Sequence, residues 1–156
     1  MLDVPADVPP VLVALSLVST TLFGVALAVR PSPVPRVQPL AATVDAVAAA
    51  DHSGAETTQI GALAVKIGEH ELAVRGPGGT AHASLSYGPV VPVRRDTALW
   101  RVLRGTPPDA VFDTPVGLAT AAAAARGRDP VWRTNADRLT VRRVSWRGVD
   151  VTLVGA

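Results

Sequence analysis

The feature that most constrains this chain is a run of 19 residues near its N-terminus that contains no charged side chain. The run extends from Val11 to Val29 and reads VLVALSLVSTTLFGVALAV. As a helix it would span about 28 Å, which matches the hydrocarbon core of a bilayer. We therefore predict a single transmembrane helix over residues 11–30, after a tail over residues 1–10, that anchors the protein in the lipid of the cell membrane.

Two other interpretations of the run remain open. Ala26 and Ala28 have the small-x-small form of a signal-peptide cleavage site, although the preceding tail has no basic residue. The run is also conceivable as a buried helix of a soluble domain. The orientation is open as well, because Arg30 and Arg36 follow the run and the positive-inside rule then places the domain in the cytoplasm.

A proline-rich segment separates the run from the rest of the chain. Residues 31–39 read PSPVPRVQP, with four prolines in nine positions. Such a segment adopts an extended polyproline II conformation and acts as a semi-rigid spacer. The remaining residues 40–156 suffice for one ordinary domain with a single core. The chain contains no cysteine, so this domain is predicted to form without disulfides.

Three segments of the domain are predicted to be helical. In the first, Leu40, Val44 and Val47 recur at the spacing of one helical face. In the third, Thr114 is a favourable N-cap and is followed by a proline, which suits the first helical position. The predicted helices cover residues 40–50, 96–104 and 115–126.

A β-hairpin is the clearest local strand pattern. Apolar residues alternate on both sides of residues 68–69, where glycine comes first, as a type II′ turn prefers. This turn would place Val65 opposite Leu72. It would also place Lys66 opposite Glu71, as a cross-strand pair of opposite charge.

Further strand patterns complete the predicted sheet. Alternation over residues 80–87 predicts a third strand with one apolar face. A closing hairpin is predicted from residues 139–146 and 149–154 with a turn at residues 147–148, and it would have one apolar and one wet side. Together these elements predict an α+β fold, a small domain of antiparallel β-hairpins with inserted helices.

The sequence contains no motif that predicts catalysis, a cofactor or a metal. The spacing of His52, His70 and His82 matches no metal-ligand pattern. His82 and Ser84 share a strand face, but parallel side chains do not form a nucleophile and base pair. The glycine-rich residues 76–80 lack the Gly-Lys-Ser/Thr ending of a phosphate loop. We therefore predict a non-enzymatic protein with no catalytic, cofactor-binding or metal-binding residues.

Four arginines near the C-terminus are the candidate partner-binding residues. They could meet an acidic partner or anionic headgroups, and the alternative is an ordinary charged strand face. The 15 Lys and Arg against 13 Asp and Glu supply too little excess charge to predict nucleic-acid binding. Aromatic residues make up only 4% of the chain, which argues against a pocket for a small-molecule substrate. The four candidates are Arg138, Arg142, Arg143 and Arg147, with Arg126, Arg128 and Arg133 upstream.

Several segments of the chain resemble a family of small uncharacterised haloarchaeal proteins with a membrane anchor. The resemblance extends over nearly the whole chain and is carried by residues 64–68, 79–83, 106–108, 111–113, 131–134, 139–146 and 148–155. It implies association with type IV pilus-like assembly systems, and therefore partners among membrane or appendage-assembly proteins. The expectation is an anchored accessory protein whose domain lies outside the cell, with a cytoplasmic binding or regulatory module as the alternative.

Overall fold

A computed structural model of the chain describes residues 32–156, and the compact unit within them runs from Pro33 to Ala156. The tail and the transmembrane helix predicted at residues 1–30 lie outside the described residues. Among the helices at residues 32–156, none combines the length and the apolar composition needed to cross a bilayer.

The described residues form an α+β domain rich in antiparallel strands, which confirms the predicted fold class at this level. Within residues 32–156, α-helices are found at three places, and eight strands lie between and after them. The elements are α1 (Gln38–Ala49), β1 (Gly54–Gln59), β2 (Ala64–Ile67), β3 (Glu71–Gly76), β4 (Gly79–Ser84), β5 (Val91–Pro92), α2 (Ala98–Leu103), a 3-10 turn (Pro108–Ala110), α3 (Pro115–Arg126), β6 (Trp132–Thr134), β7 (Arg138–Trp146) and β8 (Val149–Gly155).

The strands form two four-stranded sheets. The first sheet has the order β1-β7-β8-β5, and the second has the order β4-β3-β2-β6. All neighbours are antiparallel except β5 and β8, which run parallel over two residue pairs. The short strands β5 and β6 are therefore edge strands of different sheets.

One face of the first sheet shares a core with the second sheet and with α1. Val44 of α1, Val65 of β2 and Leu139 of β7 are fully buried in this core. Burial of each such side chain stabilises the fold by about 1.5–3 kcal/mol. The core explains why the α1 positions that recur at helical spacing are apolar.

The other face of the first sheet packs against α2 and α3. Leu103, Leu118 and Leu153 are almost completely buried in this second core. The strand β8 therefore contributes to both cores, with Leu153 on one side and Val154 on the other. The predicted wet side of the closing hairpin is therefore wet only near the turn, where Ser145 and Asp150 are exposed, whereas Thr152 on the same side is buried.

The predicted helices are found with adjusted ends. The first helix begins at Gln38, two residues earlier than predicted, and Val37 before it is already buried. In α3, the Thr114 Oγ accepts a hydrogen bond from the Gly117 N–H at 3.1 Å, which confirms the predicted cap. The helix α2 is confined to Ala98–Leu103, inside the predicted range.

The first hairpin has a different register from the predicted one. The structure pairs Val65 with Val74 and Ile67 with Leu72, a shift of two residues. This register sets the buried Ile67 opposite the buried Leu72, and the chain turns at residues 69–70 instead of residues 68–69. A shift of two residues keeps every side chain on its face. The charge pair survives diagonally, with the Lys66 Nζ 3.1 Å from the Glu71 Oε1.

The closing hairpin is found in the predicted register, whereas three short strands were not predicted. Arg147 and Gly148 form the turn, with φ values of 47° and 86°. The third predicted strand ends at Ser84, three residues before its predicted end at Tyr87, and Tyr87 is exposed. The strands absent from the prediction are β1, β5 and β6.

Candidate functional site

The four candidate arginines do not form one surface. Arg138 begins β7, and Arg147 lies in the turn after its other end. At a rise of about 3.3 Å per residue, the two positions lie about 30 Å apart. Alternation along β7 also places Arg142 and Arg143 on opposite faces of the sheet. Sequence proximity therefore does not translate into a shared binding surface here.

Two of these arginines bind helix ends inside the domain. The Arg142 Nε donates to the Leu103 carbonyl at 3.2 Å, at the last residue of α2. The Arg143 Nη1 donates to the Ala48 carbonyl at 2.6 Å, in the last turn of α1. Cations at helix C-termini satisfy open carbonyls and interact favourably with the helix dipole. Both half-buried guanidinium groups are therefore part of the fold.

A groove along the edge strand β6 brings other arginines together. We call it the β6 groove, and its cavity volume is about 440 Å³. Arg94 and Arg95 come from the segment between β5 and α2, and they line the groove together with the strand residues. The lining residues are Arg94, Arg95, Val131, Trp132, Arg133, Thr134, Ala136 and Ala156.

A second groove adjoins the first and shares two of its lining residues, Arg95 and Ala156. We call it the α2 groove, and its cavity volume is about 880 Å³. It adds Arg104 from the end of α2 and Arg138 from the start of β7, with Asp137 as its one acidic residue. The lining residues are Gln59, Ile60, Gly61, Arg95, Trp100, Arg104, Asn135, Asp137, Arg138, Thr140 and Ala156.

The arginines of the β6 groove repel one another. Burial lowers the pKa of Arg133, and the nearby charges of Arg94 and Arg95 lower it further. Among residues 32–156, the ion pair with an N–O distance within 4.0 Å is Lys66–Glu71, which lies outside both grooves. No described Asp or Glu therefore forms an ion pair with the groove arginines, and the Arg95 Nε donates to the Ala156 carbonyl at 3.3 Å.

Arg133 also joins the edges of the two sheets. Its Nη1 donates to the Val93 carbonyl, which directly follows β5, at 2.7 Å. The guanidinium group of this edge-strand residue is therefore held against the domain. This hydrogen bond connects the guanidinium group of Arg133, in the second sheet, with the carbonyl of Val93, beside the edge of the first sheet.

The face of Trp132 is already occupied by cations of the second sheet. The Arg75 guanidinium lies 4.2 Å from the ring centroid, and the Lys66 Nζ lies 5.7 Å from it. Such contacts stabilise a partly exposed site by about 0.5–1 kcal/mol each. Trp132 therefore contributes a covered ring to the groove, and this ring has less open surface for stacking with a ligand.

The residues considered for catalysis are dispersed on the surface. His52, His70 and His82 are each exposed, and so is Ser84 beside His82 on β4. Within the part of the chain that the structure describes, no group of three His, Cys, Asp or Glu residues is placed to hold a metal ion.

The groove residues were largely missed by sequence reasoning. Arg138 was among the candidates and Arg133 was noted upstream of them, whereas Arg94, Arg95 and Arg104 were not considered. The only local signal was the Arg94-Arg95 pair after a buried valine run. Recognising the site required knowledge of which segments meet at the β6 edge.

Comparisons with known proteins identify a family without an assigned activity. No curated protein and no solved structure matches the chain. The sequence model of a family of unknown function, DUF7283, matches residues 3–144. This match includes the candidate anchor and most of the domain, and it agrees with the resemblance to an uncharacterised family. The chain therefore belongs to the family of unknown function DUF7283.

Proposed function

We propose that this protein is a membrane-anchored, non-enzymatic binding protein whose domain holds a partner at its arginine-lined grooves. The observation that carries the proposal is the charge of the two adjoining grooves. They bring together five arginines and one aspartate, and no described Asp or Glu forms an ion pair with these arginines. An excess of positive charge in a concave surface favours an anionic partner.

The anchor in this proposal rests on the uncharged run at residues 11–29. Apolar side chains of this number are more stable in lipid than in water. Fractionation of cells that express the full chain tests it. The protein should remain in the membrane after alkaline extraction, and Leu17→Arg with Leu22→Arg should move it to the soluble fraction, because arginine is costly at the centre of a bilayer.

The tail provides a matched control for that experiment. Val4→Arg with Val8→Arg adds the same charge outside the uncharged run and should leave the protein in the membrane. Recovery of the unsubstituted chain in the soluble fraction would contradict the anchor. Equal behaviour of the two double variants would contradict it as well.

The narrower form of the proposal is an accessory component of a surface-appendage or secretion apparatus. The resemblance to haloarchaeal proteins linked to type IV pilus-like assembly supports it, and so does the arrangement of anchor, spacer and small sheet domain. The test is a pull-down with the full chain from detergent-solubilised membranes, with the assembly ATPase and the platform protein as the expected co-purifying proteins. Normal appendages in a deletion strain would count against this role.

A cytoplasmic binding module is the second candidate, favoured by Arg30 and Arg36 after the anchor. Protease treatment of intact cells without a cell-wall barrier separates the two orientations. An external domain should be digested, whereas a cytoplasmic domain should be cut only after lysis. The control is the same digestion in detergent, where both orientations must yield the same fragments.

A further inference from the structure

We propose that the β6 groove and the α2 groove bind an extended acidic segment of a partner protein, which adds as a strand to the free edge of β6 and places its carboxylates on the groove arginines. This inference rests on the proposed binding function and names the chemistry of the partner. The strand edge would provide affinity through backbone hydrogen bonds, and the arginines would select for acidic side chains.

The first observation is the open edge of β6. This strand ends the second sheet and pairs with β2 on one side, and no other described strand pairs with its opposite side. Edge strands are commonly protected by charged side chains that point outward. Arg133 does not act in this way, because its guanidinium binds the Val93 carbonyl. The residues Val131–Thr134 all line the β6 groove, so there is open space beside this strand.

The second observation is the placement of charge beside this edge. Arg94 and Arg95 line the same groove as β6, and Arg104 and Arg138 continue the same charge into the α2 groove. Arginine binds carboxylates through two parallel hydrogen bonds, which is the strongest common pairing of this kind. Four groove residues from 131 to 134 span about 13 Å, so an extended segment of at least four residues fits beside them.

The geometry disfavours the other anionic partners. Nucleic acid is bound with aromatic rings that stack on bases, but the Trp132 ring is covered by Arg75, 4.2 Å from its centroid. A bilayer surface is flat and offers no backbone groups to a strand edge. An acidic peptide uses both the charge and the edge, and is therefore the occupant that accounts for both observations.

The test measures peptide binding to the full chain in micelles of a neutral detergent. The probe is a rhodamine-labelled heptapeptide, Thr-Glu-Val-Asp-Val-Glu-Thr, followed by fluorescence anisotropy. Two control peptides isolate the two contributions. One replaces each acid with its amide, and the other replaces the two valines with proline to remove backbone donors. Both controls should bind at least about tenfold more weakly, because the first loses the charge-assisted hydrogen bonds to arginine and the second loses backbone donors to the strand edge.

Variants of the protein then locate the site. Arg94→Gln with Arg95→Gln, and separately Arg104→Gln with Arg138→Gln, should each weaken binding at least about tenfold. The matched control is Arg36→Gln with Arg147→Gln, which removes the same charge from exposed positions outside both grooves and should stay within about twofold. Circular dichroism checks that each variant is folded.

Several outcomes would overturn the inference. The first is an amide peptide or a proline peptide that binds the unsubstituted protein as tightly as the acidic peptide does. The second is an unchanged affinity of both groove variants for the acidic peptide. Binding to phosphatidylglycerol vesicles, lost in the groove variants, without peptide binding would assign the surface to a membrane instead. Because the assay uses the full chain in detergent, its failure leaves the fractionation test of the anchor intact, and the two results are distinguishable.

Discussion

Arg142 and Arg143 are neighbours on β7, yet they bind the C-terminal ends of two different helices on opposite faces of the first sheet. Arg142 donates to the Leu103 carbonyl of α2, and Arg143 donates to the Ala48 carbonyl of α1. The alternation of side chains along a strand makes this arrangement possible. One dipeptide thereby connects the central sheet to both of its helical layers.

This relationship predicts that each arginine stabilises the fold independently. Arg142→Met and Arg143→Met should each lower the free energy of unfolding by about 1–2 kcal/mol, because a helix carbonyl loses a charged donor. The double variant should show the sum within about 0.5 kcal/mol, since the two bonds share no partner. Urea unfolding of the full chain in detergent measures both effects. Arg147→Met is the control and should change stability by less than about 0.5 kcal/mol.

A second prediction concerns the tight contact between β8 and α2. A Cβ atom at Gly155 would lie 2.6 Å from the Leu103 Cδ2 and 2.9 Å from the Trp100 Cζ3. Gly155→Ala should therefore destabilise the fold by about 1–3 kcal/mol through overpacking. Gly61→Ala is the control, because nothing lies within 4 Å of its added Cβ. Equal thermal unfolding temperatures for the two variants would contradict the packing observed here.

A third prediction concerns the turn of the closing hairpin. Arg147 has a φ of 47° and Gly148 has a φ of 86°, and both values are typical of a type I′ turn. Asn-Gly is the preferred pair in such turns, so Arg147→Asn should raise the free energy of unfolding by about 0.5 kcal/mol. Gly148→Ala should lower it by about 1 kcal/mol or more. A loss of stability in the asparagine variant would refute this description of the turn.

A fourth prediction concerns the caps of the helices. Thr114→Ala should cost about 1 kcal/mol, because the Gly117 N–H loses its acceptor. Thr97→Ala should cost at least as much, since its Oγ accepts from the Trp100 N–H and also donates to the Arg94 carbonyl at 2.7 Å. The exposed Thr120 serves as the control within α3. If Thr120→Ala costs as much as Thr114→Ala, the effect reflects helix composition rather than capping.

Elements with strong local signals were predictable. The helix α3 has a threonine cap followed by proline, and the closing hairpin has an Arg-Gly turn between alternating strands. The first hairpin was predicted with the correct faces and the wrong register, because the turn residues allow two pairings. Packing of Ile67 opposite Leu72 selects one of them. Such a choice depends on contacts that a turn motif does not encode.

Elements with non-local partners were not predictable. The strand β1 reads GAETTQ and has no apolar alternation. It forms because β7 offers it an edge, and their side chains meet where the Thr57 and Thr140 hydroxyls lie 3.2 Å apart. The strands β5 and β6 likewise depend on β8 and β2. Without these neighbouring strands, the residues of β5 and β6 carry no local pattern that distinguishes a strand from a loop.

The sequence by itself determined the α+β class, the positions of the helices, the closing hairpin and the absence of cysteine chemistry. Only the tertiary structure decided which arginines face one another. It dispersed Arg138, Arg142, Arg143 and Arg147 along β7 and the turn after it, and it gathered Arg94, Arg95, Arg104 and Arg133 with Arg138 in two adjoining grooves. The physical reason is that helices and turns arise from contacts a few residues apart. A charged groove arises from the meeting of sheet edges distant in sequence.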